Sequence, residues 1–251
     1  VLLRVTDPRA AAAYLAGLAG RCDAPAAAPG RARVHVGFTM AGLRALQIDA
    51  ERLDRLPPEF AEGMERRAGL LGDLRGNHPD YWRRPLRYGA DPAREDRIDL
   101  GIVHVAVMLR TIDSSDAGHG LHPLMAAEVA VMGRAGTGLS VLAVEATRSR
   151  TSEPLGREHF GFIDGISQPI VTPNLAPDAE PDRSPHPRQH QVLPGELALG
   201  FGNDRGDGPY PAEADGLLDR GSFLVVRKLR QRLDHLNEAL ERHADGDAVA
   251  R

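Results

Sequence analysis

Three things that often betray a function are scarce in this chain. Of its 251 residues only Cys22 is a cysteine. A single thiol excludes an internal disulfide and any metal cage built on paired cysteines, and it suits a reducing compartment. Only Lys228 is a lysine, so almost all the positive charge is arginine. The 31 basic side chains stand against 35 acidic ones, a formal charge of −4, which leaves no basic footprint for nucleic acid. No apolar run reaches the ~18 residues that suggest a membrane-spanning helix. The first residues lack the charged-then-apolar pattern of a secretion leader. The expectation is a cytoplasmic protein that engages neither membrane nor nucleic acid. The chain opens on Val1 and not on methionine, which leaves room for upstream residues and a targeting signal among them.

What is present is enough to fold. Hydrophobic residues make up 42% of the chain, and its length suits one large domain or two small ones. Residues 1–5 form a short apolar run. Thr6 and Asp7 can cap a helix with Pro8 at its first position, and Gly20 is the expected stop after Ala19. Residues 33–38 alternate like a strand. A helical insertion follows, over 41–47 and 57–71, and residues 91–97 read as a charged loop. Residues 100–109 read as a strand with Val103, Val105 and Val107 on one face, 121–132 as a helix, and 139–146 as another strand. Strand, helix, strand, strand, helix, strand is the ferredoxin-like order, an antiparallel sheet with helices on one face. The fold class expected is therefore α+β, with residues 1–148 as a ferredoxin-like domain. Residues 149–251 contain a long Pro-rich loop over 174–190, two strands at 196–200 and 222–229, and an amphipathic helix over 231–242 carrying Leu233, Leu236 and Leu240. They read as the incomplete start of a second such domain, with unpaired edges and an exposed apolar face.

The most informative stretch is Glu158-His159-Phe160-Gly161-Phe162-Ile163-Asp164-Gly165-Ile166-Ser167-Gln168-Pro169. It sets one carboxylate between two glycines, with apolar residues around it. Glycine lets a backbone approach a flat ligand closely. A carboxylate in dry surroundings has a raised pKa and can both accept and donate a proton. An ordinary Asp-Gly turn is the competing reading.

The longer string resembles the signature loop of dye-decolourising peroxidases, a family of haem enzymes. Gly161-Phe162-Ile163-Asp164-Gly165 matches the family's Gly-x-x-Asp-Gly motif, and the residues on either side match the longer bacterial and fungal members. Pro194-Gly195-Glu196-Leu197-Ala198-Leu199-Gly200 resembles a later family segment. Arg220-Gly221-Ser222-Phe223-Leu224-Val225-Val226-Arg227-Lys228-Leu229 resembles another, with Arg220 in place of the usual Asn. Phe38-Thr39-Met40-Ala41-Gly42-Leu43 and Glu62-Gly63-Met64-Glu65-Arg66-Arg67 are also similar to family sequences.

The resemblance implies two ferredoxin-like halves with haem b in the second. It implies that Asp164, on the open side of the haem, takes a proton from hydrogen peroxide and returns it to the far oxygen so that water leaves. It implies that Gly165, Ile166 and Ser167 lie along the haem edge, and that Arg227 approaches a propionate. The partners implied are hydrogen peroxide and a bulky phenolic or dye-like reductant, with a homo-oligomer left open. The family's iron-binding histidine and distal arginine are expected beyond the matched segments, outside this chain, so no residue here is assigned to the metal. A haem carrier or iron-releasing protein on the same scaffold, and a truncated, non-catalytic ferredoxin-like domain, are the alternatives.

Other candidates have plainer readings. His159 is too close to Asp164 to bind iron from the opposite face, and His104 reads as a satisfied strand histidine. His119 with His122, and His186 with His190, lack a third ligand nearby. The Asn203–Asp207 stretch lacks the Glu that would complete a calcium loop. A buried Arg227 needs an anion, which a surface acid supplies as readily as a propionate does.

Overall fold

A computed structural model describes residues 1–22, 32–111, 121–147, 169–172, 191–206 and 221–244. The chain opens with strand β1 (Leu2–Val5) and helix α1 (Pro8–Cys22). Asp7 is the residue that caps α1: its carboxylate accepts the Ala10 N–H at 3.0 Å. The helix buries Ala11, Leu15 and Leu18, a spacing of four and then three. It runs past the expected stop at Gly20. Arg21, in the added turn, forms a two-pronged pair with Glu128 at 2.7 and 3.0 Å, and this tie across to the second packing helix offsets the ~1 kcal/mol helix penalty of a glycine.

Strand β2 (Arg33–Phe38) leads into an insertion carrying helices α2 (Met40–Ala45), α3 (Ala50–Asp54) and α4 (Pro58–Arg66). Strand β3 (Val105–Arg110), helix α5 (Pro123–Met132) and strand β4 (Leu139–Ala143) complete the unit. The sheet order is β2-β3-β1-β4, and every neighbouring pair is antiparallel. This is the ferredoxin-like α+β arrangement, two interleaved β-α-β crossovers in one sheet. Alternation puts Leu3, Val5, Val34, Val105, Val107 and Leu139 on one face, packed with Ala11, Leu15, Leu18 and Met132. The other face carries a smaller cluster in which Leu142, Ala143 and Leu2 meet Ile98, Ile102 and Val103 from the insertion.

The insertion leaves and returns at a narrow neck. The Thr39 hydroxyl accepts the Gly42 N–H at 2.9 Å and donates to the Val103 carbonyl at 2.7 Å. A Cβ on Gly42 would lie 1.9 Å from the His104 carbonyl oxygen, so only glycine fits there. The expected strand over 100–109 begins five residues late for the same reason. Asp99 caps a short 3-10 turn at Leu100–Ile102, and Val103 and His104 give their backbone groups to Thr39 and Leu3. The helix expected over 57–71 spans only Pro58–Arg66 and is kinked within that span at Gly63, whose φ is 73. Within the insertion, Leu43, Leu53 and Leu56 form a third small core with Met40, Ile48 and Phe60. The charged loop is held by Arg84–Asp99, Arg87–Asp96 and Arg97–Glu95 pairs.

The later segments are built differently. Strands β5 (Ile170–Val171) and β6 (Gln191–Val192) are two residues each and parallel. The strands expected at 196–200 and 222–229 are not formed. Pro194–Glu196 is a 3-10 turn, closed by the Ala198 N–H on the Pro194 carbonyl. Residues 221–232 are irregular, and among the described residues they join no ladder. Helix α6 (Leu233–Ala244) closes the described chain, with Leu233 and Leu240 exposed. No helix among the described residues is long and apolar enough to cross a membrane.

Candidate functional site

Asp164, Gly165, Ile166 and Ser167 lie outside the described residues, as do His159, His119, His186 and His190. Arg227 is described. Its guanidinium reaches back 154 positions to the carboxylate of Asp73, with Nη1–Oδ1 at 2.7 Å and Nη2–Oδ2 at 2.6 Å. The Asp73 side chain is 7% exposed and that of Arg227 34%. The Arg227 hydrogen bonds hold the Asp73 carboxyl below the usual carboxylate range, and those same bonds raise Arg227. The anion that the sequence asks for at Arg227 is thus provided by the insertion. Asp73 carries no sequence signal of its own, since Gly72-Asp73 looks like any turn. Gly72 does sit in a turn at φ 80, and the Asp73 N–H donates to the Ala68 carbonyl at 2.8 Å.

The segment around Arg227 crosses the first unit through side chains. The Phe223 ring meets Phe60 at 6.2 Å between centroids, and Leu224 lies over Gly37 on β2. Lys228 pairs with Glu145 just beyond β4. Behind it, the Ser222 hydroxyl donates to the Leu197 carbonyl at 2.7 Å, and the Leu199 N–H donates to the Gly221 carbonyl at 2.8 Å. Residues 197–199, 221–228, the insertion and both outer strands of the sheet are thereby held together.

A guanidinium has five N–H donors. Asp73 takes two, and the other three have no partner among the described residues. That donor set suits a second carboxylate, such as a haem propionate. Among the described residues no group of three or more His, Cys, Asp or Glu side chains could hold a bare metal ion. His104 Nδ1 accepts the Val5 N–H at 3.1 Å, and burial, helped by Arg4, pushes its pKa down. His122 caps α5 by accepting the Leu124 N–H at 3.2 Å. His235 lies beside Asp234, and His243 contacts the Ala239 carbonyl. In the loop that faintly resembles a calcium site, Asp204 instead accepts the Leu193 N–H at 2.8 Å. Two open hollows, of about 370 and 410 Å³, lie against β4 and β2, the second of them mainly apolar, and neither is lined by Arg227.

The split β-α-β unit, with its insertion strapped by a later segment, defines an α+β protein of ferredoxin-like type. No family model matches the chain. It is 31% identical over 214 residues to dye-decolorizing peroxidase msp1 of Mycetinis scorodonius, covering 84% of this chain and 35% of that protein. It is 29% identical over 210 residues to a dye-decolorizing peroxidase of Mycena epipterygia, covering 84% and 33%. A crystal structure of DyP is similar with a TM-score of 0.64 at 22% identity, covering 97% of this chain and 47% of that one. An ancestral D-type dye decolorizing peroxidase gives 0.57 at 24%, covering 96% and 48%. The solved structures share the fold, and the curated relatives that the chain resembles over 84% of its length are dye-decolorizing peroxidases. It spans about a third of the length of the curated relatives it matches.

Proposed function

We propose that this chain contributes the peroxide-side half of a haem peroxidase that oxidises bulky phenolic or dye-like substrates with hydrogen peroxide. Residues 1–148 serve as scaffold, and the residues after them carry the site. Haem b would supply the electron chemistry. Asp164 accepts a proton from one oxygen of hydrogen peroxide and donates it to the other, which then departs as water. Gly165, Ile166 and Ser167 line the cofactor edge, where the glycine permits close approach and Ile166 excludes water. Arg227 offers its outer N–H groups to a propionate carboxylate. What supports this reading is the intact Gly161-Phe162-Ile163-Asp164-Gly165 motif in a chain similar to dye-decolorizing peroxidases over 84% of its length.

The test is Asp164→Asn in the haem-loaded full-length protein. The variant keeps the shape of the side chain and removes the base. The peroxide step should slow by about 10²–10⁴, the usual scale of general acid–base catalysis, while the Soret band shows the cofactor retained. A variant that turns over peroxide as fast as the parent would take Asp164 out of the mechanism.

A further inference from the structure

We propose that Asp73 is a positioning residue for cofactor binding: it holds the Arg227 guanidinium in one plane by paired hydrogen bonds, and so aims the remaining donors at a propionate. The inference rests on the reading of Arg227 given above. Three observations carry it. Residues 221–232 join no ladder among the described residues, so no sheet pairing described there sets where Arg227 points. The tie at 2.6 and 2.7 Å uses both carboxylate oxygens, and such a fork sets the plane of the guanidinium as well as its place. Asp73 is itself anchored, with its side chain buried and its N–H bonded to Ala68. A carboxylate so buried has strong reason to keep its cation, so the pairing is persistent.

Asp73 also acts in the opposite direction, because its negative charge partly cancels that of Arg227. The geometry favours positioning as the larger effect. The propionate would bond directly to guanidinium N–H groups that Asp73 leaves unused.

The experiment titrates haemin, and separately haemin dimethyl ester, into the full-length apoprotein of the parent, Asp73→Ala, Asp73→Asn, Arg227→Ala and the Asp73→Ala/Arg227→Ala double variant. Arg227→Ala should weaken haemin by about tenfold or more, the worth of one charge-assisted hydrogen bond. Both Asp73 variants should weaken haemin several-fold and leave the ester, which has no carboxylates, unaffected. The double variant should be no weaker than Arg227→Ala alone. Asp73→Asn keeps the shape of the site and carries the test if Asp73→Ala does not fold. Haemin affinity unchanged in Arg227→Ala would remove the functional reading of Arg227 and this inference with it. Weakening in Arg227→Ala but none in the Asp73 variants would overturn the positioning role alone. Equal weakening of haemin and its ester by the Asp73 variants would make Asp73 merely structural and overturn it as well.

Discussion

The first ferredoxin-like unit and the segment after Gly221 are held in place by different forces. In the first, backbone ladders join four strands, and Leu3, Val34 and Val105 are fully buried at 0% exposure. In the second, Phe223, Leu224, Val225 and Val226 are at least as apolar, yet they are 48–66% exposed. That segment is placed by what its side chains grip: Phe60, Asp73 and Glu145. An apolar run of strand-forming residues is therefore no guarantee of a strand. It needs a neighbour to pair with, and among the described residues no neighbour pairs with 221–229.

The sharpest way to break this comparison is to truncate one apolar side chain in each region. Leu3→Ala should cost about 2–5 kcal/mol, the range for a fully buried leucine, measured as the shift in urea unfolding. Val225→Ala should stay within about 0.5 kcal/mol, as exposed positions usually do. Equal costs would mean that the segment after Gly221 is buried in solution.

A smaller effect separates two glycines of the first unit. Gly42→Ala drives a methyl onto the His104 carbonyl, and overpacking of this kind costs about 1–3 kcal/mol. Gly20→Ala, in α1 with open space around it, should instead stabilise by about 0.5–1 kcal/mol. Thermal midpoints moving in opposite directions are the expected outcome. A tolerated Gly42→Ala would show that the neck of the insertion can open.

The smallest effect is a dependence on pH. His104 must be neutral at Nδ1 to accept the Val5 N–H, and burial lowers its pKa in the fold from the ordinary 6.5. The unfolded chain therefore takes up this proton first as pH falls. The stability that His104 contributes is present in full above about pH 6.5 and declines below it until the folded pKa is passed. Unfolding free energies from pH 8 to pH 5 should show the decline. His104→Asn, whose Oδ1 replaces the acceptor without titrating, should flatten it. An identical slope in the variant would place the titrating group elsewhere.

The first unit was legible from the amino-acid order because its determinants are local. Alternation over 33–38 and in the valines at 105 and 107 marks strands, and Asp7 with Pro8 marks a helix start. Each depends on residues within a turn or two of the chain. The motif around Asp164 stands out in the sequence for a related reason, since it lies within five consecutive residues, and its role is the one proposed above. What the tertiary structure alone decided are the outcomes that depend on distant partners. Arg21 meets Glu128 and carries α1 beyond Gly20. Thr39 takes the Val103 carbonyl and delays β3. Asp73, with no sequence signal of its own, becomes the partner of Arg227 across 154 positions. Periodicity reports which face of an element is apolar, but it holds no information about which charge, from which loop, will be opposite once the chain has closed.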